Sequence, residues 1–389
     1  MKFKRIFLII LDSLGVGEAM DANNYEDNGA NTLGHIRENY DLFVPNLKKL
    51  GFLNTINMDE NEEVEAYYTI ARPTNPGKDT LNGHYEIMGV KNDIQFKNFS
   101  EKGFPRELLD QIEAYTGRRV IGNKNCSGID IINELGQRQM EYASLIVYTS
   151  NGSNLQIAAH ENVIPVQKLY EYAEKIRKIT LREEWKVGRV IAKPFTGTKA
   201  GNFKFTNERQ DYAVKPPTMS VMNFLNEKGL SVISIGKISD VFDHEGITKT
   251  IKAKNNNESL NKLSDIMSKN FTGLCAVNLN DFDSEYGHKR DVEGYAKAIE
   301  ELDVEIPMIL NKLETEDLLI ITADHGCDPT FKGTNHTREN VPVIIYGRNL
   351  REPKKLDILN SMADIGATIA DNFEVNKPFI GESFLDKLK

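Results

Sequence analysis

Seven histidines occur in the 389 residues, and the placement of three of them is informative. His288 closes the string DFDSEYGH that contains Asp283, His325 follows Asp324 directly in TADHG, and His336 lies in GTNHTRE. Asp12 ends the apolar N-terminal run in IILDS. A single aspartate after such a run is more often a helix cap. Three aspartates and three histidines in this pattern are instead a divalent-metal set, because imidazole favours the later first-row ions and carboxylate the harder ones. Six ligands exceed what one open catalytic ion accepts, so the set implies a pair of ions. Manganese and zinc both suit it.

A second string, GKDTLNGHYE at 77–86, puts Thr80 at the start of an expected helix running to about residue 88. A hydroxyl at a helix N-terminus has free amides and the positive dipole end beside it, a setting that holds phosphoryl groups. Taken alone, Thr80 reads as an N-cap. Beside a metal pair it reads as a nucleophile, since divalent ions make a hydroxyl competent at neutral pH.

Elements must bring these residues together. Short apolar runs at 6–11, 230–235, 274–279, 318–322 and 341–346 each end in polar residues or glycine, as strands buried on both faces do. Between them lie helical patterns, clearest where Val292, Tyr295, Ala296, Ile299, Leu302 and Ile306 recur at spacings of three and four. Strands alternating with helices predict a doubly wound α/β domain. Ligands in such sheets gather beyond the strands' carboxyl ends, where Asp12, Asp283 and Asp324 would meet. The rhythm changes between about 93 and 216, with helices at 105–115 and 166–180 and strands at 145–149 and 187–195. This predicts an α+β insertion that returns to the core at Pro216-Pro217. The expected division is 1–93 and 217–389 for the core and 94–216 for the inserted cap. The acidic run 59–65 reads as a solvated loop.

Composition bounds the function. With 48 basic and 57 acidic residues the formal net charge is −9, which disfavours nucleic-acid binding. Anionic substrates then require local cations. Three widely spaced cysteines make no disulfide framework and fit a reducing cytoplasm. The N-terminal apolar run is too short for a signal-peptide core, and no run reaches the roughly 18–20 residues of a membrane span. We therefore expect a cytoplasmic enzyme with a small-molecule substrate and no nucleic-acid or membrane partner, its oligomeric state open.

The chain resembles the bacterial phosphopentomutases (phosphodeoxyribomutases) of the alkaline phosphatase superfamily. The resemblance is carried by LDSLGVGEA at 11–19, GKDTLNGHYEIMG at 77–89, TGRRVIGNK at 116–124, IGKISD at 235–240, DFDSEYGHKRD at 281–291, ITADHGCDP at 321–329 and NHTRE at 335–339. It implies an alkaline-phosphatase-like core with an inserted cap, and interconversion of ribose or deoxyribose 1-phosphate and 5-phosphate. It also implies two Mn²⁺ ions, one on Asp12, Asp324 and His325 and the other on Asp283, His288 and His336. Thr80 matches the phosphorylated threonine, with a pentose bisphosphate as intermediate and a sugar bisphosphate as candidate activator. The cap would exclude water while the bisphosphate turns. Ser150 would contact the sugar, and Lys193, Arg209 and Lys237 would hold the remote phosphate.

Departures cluster in the sugar-contacting set. Ser150-Asn151-Gly152-Ser153 stands where the family has Ser-Ala-Asp-Ser, and Lys193 replaces an arginine whose bidentate contact it cannot reproduce. Cys327, Asn335 and Tyr85 replace Asn, Asp and Trp. The alternative reading is a paralogous phosphomutase or phosphatase for another sugar phosphate. The phosphoglycerate mutases of the superfamily, with serine at the nucleophile, resemble the chain less.

Overall fold

The computed structural model of the protein describes residues 1–56, 63–150 and 152–389. Most of the acidic run 59–65, and Asn151, lie outside the described residues. The described chain forms strands β1 (Arg5–Leu11), β2 (Tyr67–Ala71), β3 (Val120–Asn125), β4 (Leu145–Thr149), β5 (Asn154–His160), β6 (Arg189–Thr196), β7 (Lys204–Phe205), β8 (Gln210–Ala213), β9 (Ser231–Ile235), β10 (Lys249–Ile251), β11 (Gly273–Leu279), β12 (Asp317–Thr322) and β13 (Val341–Tyr346). It divides into two compact units, Met1–Ile94 with Lys215–Lys389 and Gln95–Val214.

The first unit is built on a seven-stranded sheet of order β10-β9-β11-β1-β12-β13-β2. Every residue of β1, β11 and β12 is buried, as a sheet covered on both faces requires. Strands β10 to β12 and β1 are mutually parallel along that order. The expectation of parallel strands fails at β13, which runs antiparallel to both β12 and β2. A parallel return needs a crossover of a dozen or more residues, usually helical. The segment between β12 and β13 contains no helix; it is the loop bearing His325 and His336.

At the amino end of the sheet, Arg5 is 2% exposed and pairs bidentately with Asp317, Nε to Oδ1 at 2.7 Å and Nη2 to Oδ2 at 2.5 Å. Its Nη1 donates to the carbonyls of Met267 and Lys269. The ion pair ties β1 to β12 at the end of the sheet opposite the ligand-bearing loops.

The second unit holds a mixed sheet of order β3-β4-β5-β6-β7, with β8 on β6. Helices Arg106–Thr116 and Val166–Ile179 contribute Leu108, Ile112, Leu169 and Ile176 to one of its apolar clusters. This is the α+β arrangement its sequence rhythm predicts. Among the described residues no helix is long and apolar enough to cross a membrane.

Candidate metal centre and nucleophile

Three parallel strands deliver the carboxylates. Asp12 follows β1 directly, Asp324 lies two residues beyond β12, and Asp283 sits in a helical turn, Phe282–Gly287, that follows β11. All three are buried. Ser13 adopts a left-handed backbone (φ 73°), rare for a residue with a Cβ, and its N–H donates to Asp324 Oδ1 at 3.0 Å. Asp12 Oδ2 accepts from Asn278 Nδ2 at 2.9 Å.

The histidines converge on the same space. Each turns Nδ1 to a backbone carbonyl: His288 to Thr334 at 2.7 Å, His325 to Gly326 at 3.1 Å, His336 to Lys78 at 2.8 Å. An imidazole that donates through Nδ1 leaves Nε2 as a lone-pair ligand facing inward. The Nε2 atoms of His288 and His336 are 3.1 Å apart, and His336 Nε2 is 3.2 Å from Asp283 Oδ1. His325 Nε2 lies 3.6 Å from Asp12 Oδ1 and 3.4 Å from Asp324 Oδ2. Asp12 Oδ1, Asp283 Oδ1 and Asp324 Oδ2 are buried without a hydrogen bond.

Acceptor facing acceptor at hydrogen-bond distance is repulsive unless a cation lies between them. The donor set therefore fits divalent ions. Its electrostatics agree: burial, then the Asp324 carboxylate, push Asp12 up to about 6, and burial, then His325, push His336 down to about 3. Burial opposes a charge on His325, but Asp324, Asp283 and Asp12 together raise it. Among the described residues three groupings have all ligand atoms within 4.8 Å of one another: Asp12, Asp324 and His325; Asp283, His325 and His336; and Asp283, His288 and Cys327. His288 Nε2 adjoins the second at 3.5 Å from Asp283 Oδ2.

Thr80 is the first residue of the helix Thr80–Ile87, not its N-cap. That position belongs to Asp79, whose Oδ1 accepts from Leu81 N at 3.0 Å and Asn82 N at 3.2 Å. The amides expected to be open to a phosphoryl group are thus already capped. The donor beside Thr80 Oγ1 is Lys237 Nζ at 3.2 Å, and His325 Nε2 is 3.3 Å away. Lys237 also pairs with Asp12. The structure thus puts the Lys237 ammonium beside Thr80 Oγ1 and the Asp12 carboxylate.

Close packing holds the helix there. A Cβ on Gly83 would come within 2.0 Å of the Asp324 carbonyl. His84 Nδ1 is 3.0 Å from both Thr80 O and Asp324 Oδ2. Sequence reasoning missed the supports of the preceding loop. Arg338 is 3% exposed and donates to Asp21 and to the carbonyls of Pro73, Asn75 and Gly77. Glu86 accepts from the amides of Thr74 and Asn75 at 2.7–2.9 Å. Their presence inside GHYE and HTRE, among ligand residues, was the available signal.

The remaining candidates lie in the second unit. Lys193 Nζ is 4.1 Å from the Phe205 ring centroid, and burial, then Arg209, bring its ammonium down to about 8. Arg209 holds Asp211 through Nε at 2.7 Å and Nη2 at 2.8 Å. Ser150 accepts from Gln156 Nε2 at its hydroxyl, and its N–H donates to Asn154 Oδ1 at 3.2 Å. Gly152 has φ +93°, with Asn154 Nδ2 at 3.9 Å the nearest atom a Cβ would meet. An aspartate there would fit the space but strain the backbone.

A family model described as the metalloenzyme superfamily matches residues 4–377. Among solved structures, the chain is similar to the PH0037 protein from Pyrococcus horikoshii, at 15% identity over 98% of this chain and 100% of that one, with a TM-score of 0.48. It is also similar to the Leishmania mexicana phosphoglycerate mutase, at 13% identity over 98% and 97% of the two chains, with a TM-score of 0.49. The cofactor-independent phosphoglycerate mutase from Thermoplasma acidophilum is 12% identical over 94% of this chain and 99% of that one, with a TM-score of 0.38.

Proposed function

The chain belongs to the metalloenzyme superfamily, and from that premise we propose that it is a phosphopentomutase interconverting (deoxy)ribose 1-phosphate and 5-phosphate through phospho-Thr80. Asp12, Asp324 and His325 would hold one Mn²⁺ ion and Asp283, His288 and His336 a second. The single observation carrying the reading is Thr80 Oγ1, buried at a helix start between Lys237 Nζ and His325 Nε2. Bound divalent ions supply charge stabilisation on entering and leaving oxygens.

The chain's own residues do the rest. As the sugar hydroxyl oxygen bonds to phosphorus and the P–Oγ1 bond breaks, negative charge grows on Oγ1, and the Lys237 ammonium hydrogen-bonds that atom; the proton given up by the sugar hydroxyl is balanced by the one that Oγ1 regains as free threonine. Asp79 and Arg338 keep the helix start and the loop before it in place, so Oγ1 meets phosphorus in one orientation. After the bisphosphate reorients, Oγ1 takes the other phosphoryl group and the isomeric monophosphate leaves. Lys193 and Arg209 serve the phosphate that is not reacting, and Ser150 the sugar.

The test is interconversion of ribose 1-phosphate and ribose 5-phosphate with Mn²⁺, together with mass spectrometry for phosphate on Thr80. Thr80→Ala should abolish both. Absence of isomerisation in metal-loaded, Thr80-phosphorylated protein overturns the reading. The departures at Gly152 and Lys193 favour one alternative, action on another sugar phosphate or its hydrolysis. Phosphate release matching or exceeding isomerisation would establish that instead.

A further inference from the structure

Cys327 follows the ligand pair Asp324-His325 by one glycine and is fully buried. Its Sγ lies with the ligand atoms of Asp283 and His288 in a third grouping, all within 4.8 Å of one another. Asp283 has one carboxylate oxygen, Oδ1, buried with no hydrogen bond, and its Oδ2 lies 3.5 Å from His288 Nε2. A cysteine that merely filled core volume would not need two metal-type donors beside its sulfur.

One cation also lies beside the sulfur. Arg290 Nη1 donates to Sγ at 3.3 Å, and the same guanidinium holds the carbonyls of Gly333, Asp328, Asn335 and Gly287 at 2.7–3.1 Å. That network fixes the loop leading to His336 against Cys327. In the thiol form, Sγ has only a long contact, 3.8 Å, to Asn335 O to receive its proton. A fixed cation beside a thiolate is the kind of outer support that metal-bound sulfur uses.

We propose that Cys327 is a thiolate ligand of the ion held by Asp283 and His288, making that position selective for a softer divalent ion, zinc before manganese. The proposal rests on the metal-centre reading above, adds Cys327 to the Asp283, His288 and His336 set, and replaces Mn²⁺ by Zn²⁺ as the ion expected there. Binding exchanges the S–H proton for the metal ion, and the proton leaves to solvent. Thiolate widens the preference for zinc over manganese by its softness, whereas the all-N/O set of the other ion has the smaller preference of imidazole and carboxylate ligands.

The test uses the full-length Cys126→Ser protein, which removes the half-exposed thiol of the other unit. Loaded with Co²⁺, it should show a thiolate-to-cobalt charge-transfer band in the near ultraviolet, and Cys327→Ser in that background should lose it at equal cobalt content. Zinc X-ray absorption on the Cys126→Ser protein, which needs no change at Cys327, should show sulfur at about 2.3 Å. Cys327→Asn should lower the preference for Zn²⁺ over Mn²⁺ at least about tenfold in competitive dialysis. Stoichiometric cobalt without the band, and a zinc shell of nitrogen and oxygen alone, would overturn the thiolate ligand while leaving the mutase reading intact. Failure to bind cobalt at all would overturn the metal centre itself, and this proposal with it.

Discussion

At the scale of single residues, charge neighbours decide what each candidate can do. Lys193 lies outside the metal centre, and its ammonium is lowered from an ordinary 10.5 to about 8, by burial first and then by Arg209. The folded protein releases that proton earlier than the unfolded chain, which binds more protons between about pH 8 and 10.5. Its contribution to stability therefore rises with pH across that window and is least below it. In the proposed function phosphate binding would run the other way, because the neutral amine no longer attracts the anion. We expect KM for the sugar phosphate to rise above about pH 8, and Lys193→Arg, which stays charged, to keep its KM flat to pH 9. A steady-state pH series on both proteins checks this; parallel KM curves would remove Lys193 from the phosphate site.

Among elements, the helix Thr80–Ile87 and strands β1 and β12 carry most of the geometry. Gly83→Ala would force the helix away from Asp324, since a Cβ at 2.0 Å from a backbone oxygen cannot be tolerated. The expected result is a loss of about 1–3 kcal/mol of stability together with weakened metal binding, read by denaturant unfolding and dialysis. Arg5→Ala acts at the other end of the same sheet and strands the Asp317 carboxylate in the interior. It should cost about 3–5 kcal/mol in unfolding free energy yet leave metal content of the folded protein unchanged. Together the two substitutions separate the end of the sheet that bears the site from the end that holds the strands together.

For the whole molecule, a net charge of −9 describes the surface and not the site. The carboxylates and imidazole lone pairs gathered beyond the sheet repel one another, so ions that bind only the folded state should stabilise it strongly. At a hundred times the dissociation constant the gain is about 2.7 kcal/mol per site. Chelation should accordingly lower Tm, and restoring a divalent ion should recover it; a Tm indifferent to chelator would argue against resident metal.

The sequence by itself determined the buried strand runs and the identity of the acceptor-rich set, because apolar continuity and ligand chemistry are local properties. Asp12, Asp283, Asp324, His288, His325 and His336 stand out by residue type for that reason, and the structure brings them and Thr80 into one neighbourhood. Tertiary structure alone decided the reversal of β13, the capture of Lys237 by Asp12 and the approach of Cys327 to Asp283 and His288. Each depends on which segments the sheet order brings within a few ångströms, and residues such as Lys237 and Thr80, 157 positions apart, carry no local trace of that distance.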